Sequence, residues 1–201
     1  MALFKKISVG QFTFLRIIAA LALLTATQAC HLYWDMAWDR TKIGNGEFWR
    51  LITGHFVHNN SNHILLNSIG LSVVLLLIGD KFSTRTLGSL SVFIAFLTGL
   101  LLYVFESQLL YYVGFSAVLH GLVASYSITA LRKTPGYACL ILCLLGLKLA
   151  FEGQPQFTAN LIGIRVATES HWWGFVSGIL VGGIYTGILL KRKTTSPMEQ
   201  D

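Results

Sequence analysis

The sequence predicts an all-α membrane protein, a six-helix bundle forming one domain over residues 1–201, and three observations carry that prediction. Hydrophobic residues make up 54% of the chain and charged residues only 12%, too little polar surface for a soluble domain of this length. Six apolar segments follow one another with no Pro/Gly/Ser-rich linker between them. Basic residues collect on alternate connections, the pattern of a chain threaded back and forth through a bilayer.

The first segment, 12–32, has the roughly 20 apolar residues that a spanning helix needs. It is too long for a signal-peptide core, and TQAC before His31 lacks the apolar residue of a lipoprotein cleavage box, so it reads as a helix. The loop 33–62 interleaves Trp34, Trp38, Phe48 and Trp49 with charges, a composition suited to the membrane interface. The further segments are 63–78, 87–105, 115–131, 137–151 and 172–190. The second, fourth and fifth are short, which fits a bundle whose interior does not all face lipid. The tails 1–11 and 191–201 are too short to fold alone.

Lys5, Lys6, Lys81, Arg85, Arg132, Lys133, Lys191, Arg192 and Lys193 fall on one side of this arrangement, against Arg40, Lys42, Arg50 and Arg165 on the other. The excess puts both termini in the cytoplasm, with Arg16 and Lys148 inside helices. A net charge of +6 is then accounted for by topology and anionic lipid, with no nucleic-acid partner. Cys30 lies across the membrane from Cys139 and Cys143, which sit one helical turn apart and read as small packing residues.

In this topology the second, fourth and sixth segments all run inward from the outer face. Their first turns carry His63 and Asn67, Ser116, and His171, so one shallow layer receives a serine, two histidines and an amide. The fourth segment bears Ala117, Gly121 and Ser125 at four-residue spacing, and the sixth bears Gly174, Gly178 and Gly182. Small residues so spaced let helix backbones touch, and facing stripes would bring Ser116 beside His171. A serine becomes a nucleophile when a base takes its proton. His63 and Asn67, on one helical face with the Ser116 amide, could donate to an oxyanion. Taken singly, Ser116 also reads as polar glue between helices, His171 as an interface histidine, and His63 with Asn67 as partners of loop backbone.

The pieces GEFWRLITGHFVHNNSNHILLN (46–67), YVGFSAVLHGL (112–122), KLAFE (148–152) and VATESHWWGFVSG (166–178) together resemble the rhomboid intramembrane serine proteases, most closely the rhombosortase branch of Gram-negative bacteria. The resemblance implies a rhomboid-like bundle with a serine–histidine dyad of Ser116 and His171, lacking an aspartate. It implies oxyanion stabilisation by the Ser116 amide, His63 and Asn67, and supporting places for His58, Gly114 and Gly174. His120 stands where many rhomboids carry a tyrosine that packs on the catalytic histidine, and is expected to partner His171, with general base as the lesser option. Ala117 departs from the usual glycine after the serine.

The resemblance further implies single-span membrane substrates with a carboxy-terminal Gly-Gly, helix and basic tail. They would be cut at the periplasmic face of the inner membrane, with phosphatidylethanolamine as an amine acceptor and no cofactor. Lys148 and Glu152, one turn apart, read first as a mutual ion pair; the alternative is that Glu152 binds a cationic substrate group such as ethanolamine. No metal is expected, since the histidines His55, His58 and His63 lack carboxylate partners nearby. The stretch 153–170 reads as a mobile lid. Two other readings of the chain remain at this stage: a non-catalytic rhomboid-like protein that escorts membrane clients, and a metal transporter. The second would need a polar path through the membrane, which the inner halves of the helices do not offer.

Overall fold

The computed structural model describes residues 9–152 and 167–194. The expected lid lies mostly in 153–166, and Arg165, Lys5 and Lys6 of the charge count also lie outside the described residues. Six long helices form the bundle: α1 (Val9–His31), α4 (Ser61–Ile78), α5 (Thr84–Phe105), α6 (Ser116–Ala130), α7 (Pro135–Phe151) and α8 (Thr168–Thr194). Two short helices, α2 (Arg40–Gly44) and α3 (Arg50–Thr53), and a 3₁₀ turn (Gly54–Phe56) fold the connection after α1. Four helices, α1, α4, α5 and α8, are long and apolar enough to cross a membrane, and α7 is a shorter apolar helix. Their outward faces stay apolar: Phe14, Leu76, Phe93, Leu144 and Ile184 are all exposed, a surface that suits lipid.

The helix ends follow from local chemistry. Asn60 caps α4 by accepting from the His63 amide, and Ser83 caps α5 by accepting from Thr86. Pro135 opens α7, at the position where a missing N–H does no harm. Arg16 reaches from α1 to Thr84 and to the carbonyls of Gly79 and Phe82, so a charge within a spanning helix is spent on the α4–α5 turn. Helix α6 starts without a side-chain cap, with Phe115 at its N-cap. The first amides of a helix have no partner within it, and the Ser116 amide is the first of α6.

Helix α6 has only 15 residues and sits at the centre, against α4, α5, α7 and α8. Enclosure by protein removes the need for a long lipid-facing surface. Its closest neighbour is α8, and glycine is the reason. A Cβ on Gly174 would overlap the Ala117 carbonyl, one on Gly178 the Gly121 carbonyl, and one on Gly182 the Cα of Ser125. The two small-residue stripes therefore meet position for position, at a constant offset, as two helices running the same way. Ser125 Oγ donates to the Gly178 carbonyl at 2.8 Å across the seam, and Thr98 of α5 donates to Ser177 at 3.1 Å. Ala117 is fully buried there, so its methyl group fits where the resemblance expects glycine.

The connection after α1 is a folded cap. Strands β1 (Trp38–Asp39) and β2 (Tyr111–Tyr112) pair antiparallel, Trp38 opposite Tyr112. Arg40 donates to the carbonyls of Leu102, Tyr103, Glu106 and Leu109, closing the last turn of α5. Buried Arg50 donates to the Ala37 carbonyl and pairs with Glu47. Of the aromatic residues read as interfacial, Trp34, Phe48 and Trp49 are exposed, but Trp38 is fully buried and donates to the Gly99 carbonyl. Its placement differs because the strand pair turns it inward against Gly54, where no side chain competes for the space.

Substituting Gly178→Leu is expected to destabilise the protein by about 1–3 kcal/mol or more, because the intruding atoms meet backbone and cannot be relieved by a rotamer. Thermal unfolding of the detergent-purified variant checks this. The substitution Leu144→Ile, at an exposed position of α7, should leave the midpoint unmoved.

Candidate active site

The seam of α6 and α8 ends at Ser116 and His171. Ser116 Oγ lies 2.7 Å from His171 Nε2, within reach for proton transfer. The other ring nitrogen, Nδ1, lies 2.9 Å from Glu152 Oε2 at the end of α7. A carboxylate only accepts, so Nδ1 carries a proton, and in the neutral ring Nε2 then presents its lone pair to the serine hydroxyl. The imidazole is thus held in the tautomer that a general base needs. Where the resemblance implies a dyad, the geometry adds a carboxylate in line behind the histidine.

Glu152 is engaged on both oxygens. Its Oε1 accepts from Lys148 at 2.7 Å, which is the helical pair read from the sequence. Lys148 also donates to His120 Nε2 at 2.7 Å, and His120 Nδ1 donates to the Ser116 carbonyl at 2.7 Å. A carbonyl cannot donate, so His120 too has a fixed tautomer, neutral with Nε2 as acceptor. Its ring stacks on that of His171, centroids 4.6 Å apart and planes 18° off parallel. The bonds therefore run from the Ser116 hydroxyl through His171, Glu152, Lys148 and His120 back to the Ser116 carbonyl. A cationic substrate group at Glu152 would have to displace Lys148.

On the other side of Ser116 lies α4. The His63 ring rests against Gly114: a Cβ there would come within 2.7 Å of His63 Nε2 and 4.0 Å of Asn67 Nδ2. Gly114 also has φ +126°, a backbone conformation that side chains disfavour. Both requirements make glycine necessary two residues before the serine. Asn67 uses one amide hydrogen on the His63 carbonyl at 3.0 Å, and an amide carries two. His63 and Asn67 are buried, while His58 packs edge-to-face on His63 at 5.1 Å. The backbone of His58 is held at both ends by Gln28, which accepts from its amide at 2.7 Å and donates to its carbonyl at 3.0 Å.

Tyr112 escaped the sequence reading. Its buried hydroxyl donates to the Gly114 carbonyl at 2.5 Å and sits beside the hydroxyls of Ser116 and Ser170. Burial pushes that phenol above its ordinary range, so it stays protonated and able to donate. Gly114 is fixed from the other side by its own amide, which donates to the Gly54 carbonyl at 3.0 Å. A tyrosine in a short apolar strand carries no signal of its own; only its pairing with Trp38 turns the hydroxyl inward.

The family model of the Rhomboid domain matches residues 45–192, a span that includes His58, His63, Asn67, Ser116, His120, Glu152 and His171. The chain belongs to the rhomboid family, the intramembrane proteases of serine type, and is a multi-pass helical membrane protein of that fold. No individual curated protein matches it.

Burial, with repulsion from His63 and His31, holds the His58 imidazole down at about 3 against an ordinary 6.5. Between those values the unfolded chain takes up a proton that the folded chain does not. Stability is therefore greatest above 6.5 and falls as the pH drops towards 3, by up to about 1.4 kcal/mol per pH unit for this one residue. Thermal midpoints from pH 7.5 down to 5.0 should fall, and less steeply in His58→Gln. Gly114→Ala should lower the rate of serine labelling by a fluorophosphonate at least about 10²-fold, because it displaces the His63 ring.

Proposed function

We propose that the protein is a serine endopeptidase that cuts single-span membrane proteins near the outer face of a bacterial inner membrane, and the 2.7 Å contact of Ser116 Oγ with His171 Nε2 carries this reading. Ser116 Oγ attacks the scissile carbonyl carbon as its proton passes to Nε2. The carbonyl oxygen becomes an oxyanion within reach of the Ser116 amide, His63 and Asn67. Collapse breaks the C–N bond, His171 returns the proton to the departing nitrogen, and the carboxy-terminal tail leaves. Water or an amine then attacks the ester, giving its proton to His171, which passes one back to Ser116 Oγ. The residues named supply every proton transfer, so no cofactor enters.

We assign it to the rhombosortase branch, with substrates that end in a Gly-Gly segment, a helix and a basic tail. Each glycine costs a helix about 1 kcal/mol, so such a segment frays where the backbone must enter the site. The amine of phosphatidylethanolamine is the acceptor that this reading offers as an alternative to water. Basic residues on the α4–α5, α6–α7 and terminal connections support cytoplasmic termini and a site that faces the periplasm. The Ser116–His171 contact, with Glu152 on the far ring nitrogen, supports catalysis over a purely client-binding role.

Co-expression with a reporter ending in such a tail tests the reading. Wild type should remove the tail, and Ser116→Ala and His171→Ala should each lower cleavage by at least about 10³-fold. Tail removal that survives Ser116→Ala would overturn it. Mass spectrometry of the released reporter distinguishes a free carboxylate from an amide to ethanolamine.

A further inference from the structure

We propose that Glu152 is the positioning residue for His171, and that Lys148 and His120 hold Glu152 in turn, so that the hydrogen-bonded chain begun at the Ser116 hydroxyl is closed on the Ser116 carbonyl. This rests on the protease reading above and assigns that site a member which a serine–histidine dyad lacks.

The geometry separates Glu152 from an ordinary helical ion pair. An exposed pair at this spacing adds little to stability and gives a carboxylate no cause to leave water. Yet the Glu152 side chain is only 17% exposed, while its lysine partner is 47% exposed. The carboxylate has been drawn inward to His171, which is itself nearly buried. It splits its two oxygens between them, one to the lysine and one to the imidazole. His120, Glu152 and His171 bring their polar atoms within 4.8 Å of one another, a spacing at which one cation can serve several of them, and the Lys148 ammonium lies 2.7 Å from both Glu152 Oε1 and His120 Nε2.

The charges fit the reaction. With both imidazoles neutral, the glutamate is balanced by the lysine. When His171 accepts the serine proton, its new charge lies 2.9 Å from Glu152 Oε2. His120 stays neutral beneath it, its Nδ1 proton committed to the Ser116 carbonyl and its Nε2 to Lys148. The His120 ring both stacks on His171 and accepts from the Lys148 ammonium through Nε2.

The groups around His171 are Ser116 and His120 from α6, Lys148 from α7 with Glu152 at its end, and His63 from α4, with Glu169 on its own helix and Tyr112 of β2 beside Ser116 and Ser170. From α5, Thr98 and Glu106 meet α8 at Ser177 and Trp173. Glu152 is the carboxylate bonded to its ring. Removing it should make His171 harder to protonate, and removing Lys148 should make it easier.

The test is the rate at which a fluorophosphonate labels Ser116 in detergent-purified full-length protein, measured from pH 5 to 9, with folding followed by thermal unfolding. The rate in wild type should rise as His171 loses its proton. Glu152→Gln should slow labelling on the order of 10²–10⁴-fold and move that rise to lower pH by about 1 unit or more. Lys148→Met should move it to higher pH. Opposite shifts cannot come from a merely structural role, which would change the amount of folded protein and leave the pH of the rise in place.

A rise that stays put in both variants, with the Glu152→Gln rate within about threefold of wild type, overturns the proposal and leaves the protease reading standing. Wild type that is not labelled at Ser116 overturns both. Should Glu152→Gln fail to fold, Lys148→Met decides alone: an upward shift supports the ring and an unmoved rise refutes it.

Discussion

Everything at the site depends on two helix backbones touching. Gly174, Gly178 and Gly182 of α8 have no side chains, and the carbonyls of Ala117 and Gly121 and the Cα of Ser125 occupy the space those side chains would need. Lipid does not drive helices together as water does, so close van der Waals contact and a few hydrogen bonds must hold this seam. Ser125 and Thr98 provide two of them, each to α8. The contact is rigid because its atoms are main chain, and rigidity is what the 2.7 Å distance of the proposed nucleophile and base requires. The chemistry rides on a part of the molecule that has no chemistry of its own.

The bundle was legible because membrane helices announce themselves by length and composition. All six predicted segments match helices to within a few residues, even α6, whose 15 residues fall short of a span. The seam was legible for the same reason: a period of four small residues survives in sequence. The folded cap was less so. Composition groups Trp38 with Trp34 and Trp49, yet a two-residue strand pair buries one and leaves the others exposed. Two-residue strands have no periodicity to read.

Within the site, what the sequence offered was a set of polar residues at one depth; what it could not offer was direction. Lys148 and Glu152 read as a helical pair, and they are one. That the same glutamate turns a second oxygen to His171 depends on where the end of α7 meets the start of α8, which no spacing along the chain records. Tyr112 was invisible for a like reason. Hydrogen-bond directions also settle two tautomers that sequence leaves open, because a carbonyl and a carboxylate can only accept.

His171 and Gly174 are separated by two residues, and that interval has a meaning beyond the identity of either. Gly174 fixes how α8 is rotated against α6, since only its face can meet the Ala117 carbonyl. An α-helix turns about 100° per residue. One residue inserted between the two would leave the serine, the histidine and every glycine in the chain and would swing the imidazole a quarter turn or more away from Ser116. A protein could thus keep the full inventory of its family and lose the reaction, so the spacing H-x-x-G is a recorded angle, and counting it is a better guide to activity than finding its letters.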